Sequence, residues 1–359
     1  MIPFVDVKLQ DKFIKSEIKR AIDGVLESSK YILGPQLEKF ENSFAKYCNK
    51  KFAVGLNSGT DALILSLKAL GIGQNDEVIT VANSFIATTA SITVNQAKPI
   101  FVDIDPKTYN IDVGKIKERI TKKTKAILPV HLFGQPAEMK QISHIAKKHN
   151  LYVIEDVCQA NGALHYGKIV PFTDIGCFSF YPSKNLGTYG DAGAVVTNNK
   201  QLALKIKELR NHGSPKRDYH SEEGVNSRLD EIQAAILNVK LKYLDKWNIQ
   251  RRKCANQYDR LLKNVIIPVI KPSNQSSYCL YVIRSKNRDK IQQALKEKDI
   301  SALIHYPVPI HKQKAYREFN HLSLPITEKY ADEMLSLPIF PGMTPEQIEK
   351  VCQIVNQYA

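Results

Sequence analysis

Between residues 50 and 200 short runs rich in β-branched and aromatic side chains recur: Phe52–Val54, Val78–Val81, Ile100–Val102, Ala126–Val130, Leu151–Glu155, Cys177–Phe180 and Ala194–Thr197. Amphipathic stretches, Asp61–Leu70 and Met139–His149 among them, fill the earlier gaps. Strands that alternate with helices imply right-handed βαβ crossovers and a mostly parallel sheet covered on both faces. The unbroken apolar character of VITV and LYVIE fits strands buried on both sides. Residues 203–263 read as mainly helical, with 228–242 the most periodic part. Beyond Pro268 and Pro272 the pattern restarts with a strand at 279–284, a helix at 289–298, a proline-rich stretch and a last helix at 345–357. A length of 359 residues suits about two domains. The expected α/β chain has a large domain over 1–250, with an N-terminal helical segment, and a smaller α+β domain over 251–359.

Composition narrows the function classes. Lys and Arg total 51 against 36 Asp and Glu, a net charge of +15. The basic residues are spread over several helix-like stretches with acids interleaved, as on solvated helix faces. No zinc finger, RNP-type aromatic pattern or basic zipper accompanies them, so no nucleic-acid partner is expected. No apolar run approaches the ~18 residues of a membrane span. The start of the chain lacks the basic cap and apolar stretch of a secretory signal. Six dispersed cysteines form no CxxC and no zinc spacing, which suits reduced thiols in a cytoplasm. No metal site is expected.

In an open α/β sheet ligands sit beyond the carboxyl ends of the strands. Three polar groups fall there: Asn57–Asp61, Glu155–Gln159 and Ser179–Asn185. Gly59 and Thr60 put free amides and a hydroxyl at a helix N-terminus, a seat for a phosphate dianion. Asp156 could face a protonated pyridine nitrogen and keep the ring an electron sink. Lys184, on a loop stiffened by Pro182, could lose its proton when partly desolvated and form a Schiff base with an aldehyde. Ser179 could add a phosphate hydroxyl, and Phe85 could stack on a ring. Together they make up a pyridoxal 5′-phosphate (PLP) site. Singly, each has an ordinary explanation: a helix cap, a loop carboxylate, a surface lysine, a strand serine, a core aromatic.

The longer motifs GLNSGTDALILSL, VANSFIATTASI, IFVDIDPKTYNID, IEDVCQANGA, SFYPSKNLGTYGDAGAVVT and GVNSRLDEIQAAIL resemble those of the DegT-type sugar-nucleotide aminotransferases. That branch belongs to the aspartate-aminotransferase-like PLP fold-type I, and the similarity runs from ILGPQLEKFE to LSLPIFPGM. The resemblance implies Lys184 as the cofactor-bonding lysine, Asp156 as partner of the ring nitrogen, Gln159 beside the cofactor and Phe85 over one ring face. It implies Thr60, Ser179 and the Gly59 amide as phosphate contacts. Asn226 matches an asparagine that reaches the phosphate from the other subunit, which implies a homodimer with shared active sites. Cys158 departs from the pattern, standing where many relatives have alanine; a small, weakly polar side chain should fit there.

A branch of that family replaces the lysine by histidine and dehydrates deoxysugars; Lys184 is retained here, which favours transamination. The resemblance implies L-glutamate as amino donor and a nucleotide-linked keto sugar as acceptor. HYPVPIHKQKAY (305–316) is most similar to enzymes that aminate dTDP-3-oxo-6-deoxyhexoses, with UDP-linked 3-keto-2-acetamido-glucuronate as the alternative. Tyr181, Arg228, His305, Tyr306 and His311 are candidate substrate contacts, Arg228 for a uronate or diphosphate group. Lys216 and Arg217 are weaker candidates than solvated charges, and His131 reads as structural.

Overall fold

The computed structural model describes all residues from Met1 to Ala359. Its centre is a seven-stranded sheet: β1 Phe52–Leu56, β2 Glu77–Val81, β3 Lys98–Val102, β4 Thr124–Ile127, β5 Tyr152–Asp156, β6 Ile175–Ser179 and β7 Gly193–Thr197. All seven expected runs are strands. In space the order is β1-β7-β6-β5-β4-β2-β3. From β6 to β3 every neighbour pair is parallel, whereas β7 runs antiparallel to both β1 and β6. The mostly parallel sheet expected from strand–helix alternation is therefore present, with one reversed strand.

Successive side chains of these strands enter opposite layers, because the strand period is two. Val54, Ile154, Cys177 and Val195 pack under the helices Gly59–Ala69 and Lys200–Leu209. Ala53, Phe178, Ala194 and Val196 pack on the other face with Phe40 and Phe44 of helix Pro35–Tyr47 and with helix Glu231–Lys240. Phe44 meets Phe178 and Phe180 edge to face at ring distances of 4.9 and 5.1 Å. The N-terminus of Pro35–Tyr47 is closed by a carboxylate from far along the chain. Buried Glu231 accepts from the amides of Gly34, Gln36 and Leu37 at 3.0, 2.7 and 2.8 Å, satisfying donors a helix cannot satisfy itself.

The continuous helical reading of 203–263 needs one correction. Helices span Lys200–Leu209, Glu231–Lys240 and Leu244–Leu261, while residues 210–230 leave the helical path. Gly213, Pro215 and Gly224 break the pattern there, and the chain makes an exposed excursion that returns through a bridge between Asn211 and Asn226. The C-terminal part holds an antiparallel hairpin of β8 Tyr281–Arg284 and β9 Met334–Leu337 with helices Arg288–Glu297 and Pro345–Tyr358. Thr344 and Gln347 form a reciprocal cap on the last helix. Tyr258 of the long helix, Tyr281, Leu295 and Val351 share this core with Ile2. Ile2 exchanges main-chain hydrogen bonds with Asp299 and Ser301, so the first residues lie along the C-terminal part. No helix is long and apolar enough to cross a membrane.

Candidate active site

The reversal of β7 closes one rim of the sheet around three chain segments. Gly193, its first residue, pairs with Leu56 at the end of β1 and with Ser179 at the end of β6. β6 in turn registers Cys177 against Asp156, the last residue of β5. The three polar groups read from the sequence thus lie side by side.

The first is a helix start. Ser58 accepts from the Asp61 amide at 3.1 Å and caps Gly59–Ala69; the amides of Gly59 and Thr60 precede the first intrahelical donor, the Ala62 amide on the Ser58 carbonyl. This turn lies hard against its neighbours. A Cβ on Gly59 would stand 2.7 Å from Cys158 Sγ and from Ser179 Cβ, and one on Gly193 only 2.2 Å from the Ser58 carbonyl oxygen. Two glycines therefore bring the helix start onto the strand ends, with half-buried Thr60 and Ser179 beside it. Such a cradle suits a phosphate group.

Asp156 is buried at the end of β5. Its Oδ2 accepts from the Thr88 hydroxyl at 2.9 Å and its Oδ1 from the Cys158 amide at 3.1 Å, yet it makes no ion pair. A buried carboxylate held only by neutral donors suits a cationic partner brought by a ligand. Half-buried Lys184 also makes no ion pair; its amide closes a turn onto the Tyr181 carbonyl at 2.8 Å. Both charges bear on the Cys158 thiol. Burial and then the Asp156 carboxylate push that thiol well above its ordinary range, against the pull of Lys184. Cys158 therefore stays protonated.

Gln159 is fixed at both ends. Its Oε1 accepts from the Phe133 amide at 2.9 Å, so its Nε2 donates to the Tyr306 hydroxyl at 3.0 Å. The Tyr306 proton is then free to be donated elsewhere, and burial holds that phenol neutral. Phe85, just over half exposed, tilts toward the Tyr306 ring at 6.1 Å. His305 shares a hydrogen bond of 2.9 Å with Ser336 and stacks on Phe4 at 5.7 Å. Burial, and the positive charge of Lys184, lower its pKa to about 4. Contacts thus link Gly59 and Ser179 to Cys158 beside Asp156, and Gln159, Phe85 and His305 to Tyr306, while Thr60 follows Gly59 and half-buried Lys184 lies on the loop after Ser179, where Tyr181 is exposed.

Other candidates lie apart from this group. His311 is fully buried, with Nε2 on Glu328 at 2.9 Å and its ring near Phe101; it braces the proline-rich stretch and is closed to a ligand. Asn226 is exposed beyond the excursion, one residue before Ser227, whose hydroxyl meets Asn57. Arg228 donates to Asn211 at 3.1 Å, and its Nε has no partner. Arg217 is almost fully exposed, as solvated charges are. His131 takes the Ala137 amide on Nδ1, so its Nε2 proton goes to Glu155 at 2.8 Å, a buried structural pair. Glu155 is held below the usual carboxylate range: burial alone would raise it, but His131 and Thr173 outweigh that. Sequence reasoning passed over Ser84, Thr88 and Gly193. The spacing of two hydroxyls four residues apart beside Phe85 was the available signal for the first two.

The sequence model of the DegT/DnrJ/EryC1/StrS aminotransferase family matches residues 12–356. The chain is 48% identical to a dTDP-3-amino-3,6-dideoxy-alpha-D-galactopyranose transaminase of Aneurinibacillus thermoaerophilus, over 100% of this chain and 99% of that one. It is 41% identical to a UDP-2-acetamido-2-deoxy-3-oxo-D-glucuronate aminotransferase of Pseudomonas aeruginosa, over 98% and 99%. The crystal structure of S. venezuelae DesV in complex with a ketimine intermediate superposes with a TM-score of 0.97 at 40% identity, covering 99% of this chain and 98% of that one. This chain belongs to the DegT/DnrJ/EryC1/StrS aminotransferase family: it has PLP fold-type I and is a PLP-dependent sugar aminotransferase. The cradle at Gly59, the unpaired acid Asp156 and the unpaired amine Lys184 fit that cofactor.

Proposed function

We propose that this aminotransferase moves the amino group of L-glutamate to the C3 keto carbon of a dTDP-3-oxo-6-deoxyhexose. The product is a dTDP-3-amino-3,6-dideoxyhexose for cell-surface glycan synthesis. One arrangement supports the assignment of the centre: β6 pairs with Asp156 of β5 at Cys177 and, two residues on, with Gly193 at Ser179, so Asp156 lies one strand from the chain that leads into the Lys184 loop. The choice of sugar is supported by the relative from Aneurinibacillus thermoaerophilus, similar along its whole length.

When bound, PLP supplies an aldehyde that condenses with amines and a protonated ring that withdraws electrons. The amides of Gly59 and Thr60, with the Thr60 and Ser179 hydroxyls, would hold its phosphate at the helix start. Asp156 would pair with the ring nitrogen, Phe85 would cover one face, and Gln159 would lie alongside. The Nζ of Lys184 would take the proton from the α-carbon of glutamate and, in the return half, deliver one to sugar C3. Glutamate leaves as 2-oxoglutarate and the sugar carbonyl oxygen leaves as water, so nitrogen and electrons balance over the two halves. Tyr306, with a hydroxyl proton to donate, and His305, neutral beside it, would meet the sugar; Tyr181 is a further contact.

The unit we infer is a homodimer with shared sites, supported by the exposure of Asn226 and its resemblance to a cross-subunit phosphate ligand. A second reading, a UDP-linked 3-keto-2-acetamido-glucuronate acceptor, has its own support: Arg228 has a buried Nε without a partner, which could meet a uronate carboxylate. The test is incubation with glutamate and a panel of freshly generated dTDP- and UDP-linked 3-keto sugars, with NMR of the products. The expected result is an amine on C3 of a dTDP-linked 6-deoxyhexose. Faster amination of the UDP-uronate overturns the choice of sugar, and loss of keto sugar without glutamate consumption overturns transamination.

A further inference from the structure

We propose that Ser84 and Thr88 form a hydroxyl relay that keeps the shared proton on the cofactor's ring nitrogen instead of on Asp156, which makes Thr88 a positioning residue for transamination. The proposal rests on the reading of Asp156 as the partner of that nitrogen. Ser84, Thr88 and Asp156 are 4%, 1% and 5% exposed, so water does not compete for their hydrogen bonds. Thr88 Oγ1 lies 2.9 Å from Asp156 Oδ2, and Ser84 Oγ lies 2.8 Å from Thr88 Oγ1.

The direction of the relay follows from valence. An ionised carboxylate only accepts, so the Thr88 proton must point to Asp156. With that proton committed, Thr88 can only accept from Ser84, which therefore donates. Each donation polarises the next hydroxyl and strengthens its bond. The two carboxylate oxygens thus receive one donor each, Thr88 on Oδ2 and the Cys158 amide on Oδ1 at 3.1 Å. With both oxygens engaged as acceptors by these donors, the proton stays with the nitrogen opposite.

The relay is built into the turn that supplies the ring cover. Ser84 precedes Phe85, and Thr88 stands in the first turn of helix Ala87–Val94. Phe85 is just over half exposed while the hydroxyls on either side are buried. One segment thus bears on both a ring face and the ring-nitrogen partner.

The test compares holoenzymes carrying Thr88→Val, Thr88→Ser and Ser84→Ala with the unmutated protein, using nitrogen NMR of ring-labelled cofactor. Equilibrium dialysis of pyridoxamine 5′-phosphate, which needs no bond to Lys184, gives a second readout. The expected result for Thr88→Val is a ring-nitrogen resonance moved toward that of unprotonated pyridine. Its pyridoxamine phosphate dissociation constant should rise about tenfold, since a charge-assisted bond is roughly twice as strong as a neutral one. Its kcat should fall with KM for both substrates little changed. Thr88→Ser should restore all three, and Ser84→Ala should move them in the same direction by less. A Thr88→Val protein whose ring nitrogen stays protonated overturns the relay. So does a Thr88→Ser protein that behaves like valine, which would assign the effect to packing of the methyl group. If the ring nitrogen of the unmutated protein is itself unprotonated, the pairing with Asp156 falls and the relay falls with it.

Discussion

Gly193→Ala tests how tightly the phosphate cradle is made. The added Cβ would stand 2.2 Å from the Ser58 carbonyl oxygen, 2.3 Å from its carbon and 2.6 Å from the Gly59 nitrogen. These are main-chain atoms and cannot rotate aside. To reach ordinary van der Waals contact, the helix start must retreat by about 1 Å, or β7 must leave its pairing with Leu56 and Ser179. Overpacking of this kind costs about 1–3 kcal/mol, a loss of a few degrees in Tm for a chain of this length. The larger effect should be on the cofactor. A shift of about 1 Å in a positioning group can reduce function about a hundredfold, so PLP affinity of the refolded apoprotein should fall by one to two orders of magnitude. Fluorescence titration of the apoprotein with PLP measures that loss, and calorimetry measures the Tm. An alanine variant with unchanged affinity and unchanged Tm would refute the close approach, and with it the claim that this glycine sets the cradle.

Lys184→Ala should fold, bind PLP without a borohydride-fixable bond and lose turnover almost entirely; an active variant contradicts the role assigned to Nζ. Mixed dimers of Lys184→Ala and Asn226→Ala chains should recover partial activity, and a complete lack of recovery counts against shared sites. His305, lowered to about 4 by burial and by Lys184, is neutral in the fold at pH values where the unfolded chain already binds a proton. Stability of the apoprotein should therefore fall as pH drops from about 6.5 toward about 4. At about 1.4 kcal/mol per tenfold in proton affinity, this amounts to roughly 3 kcal/mol at most. His305→Gln should flatten the Tm–pH curve across that window, and an unchanged slope would refute the assignment. Gly24→Ala, at an exposed helical position with nothing within 4 Å, should stabilise by up to about 1 kcal/mol, read as a small rise in Tm.

What the sequence made legible follows the range of the forces involved. The seven strands, the capped helix at Ser58 and the rim groups were readable because each is written in a few consecutive residues: a β-branched run, a cap, a polar strand end. What joins segments far apart was not. Glu231 closes a helix almost two hundred residues earlier, yet on its own helix it reads as an ordinary first-turn acid. His311 looks like a ligand-facing residue in a loop, and only Glu328, brought back by a later helix, turns it inward. The reversed strand β7 is invisible to periodicity, since a run of five buried residues reads alike in either direction. That reversal also has a chemical consequence. It sets Gly193 against the ends of two other strands, and a side chain there would separate them. The proposed phosphate cradle therefore depends on a residue whose only visible property in the sequence is that it carries nothing.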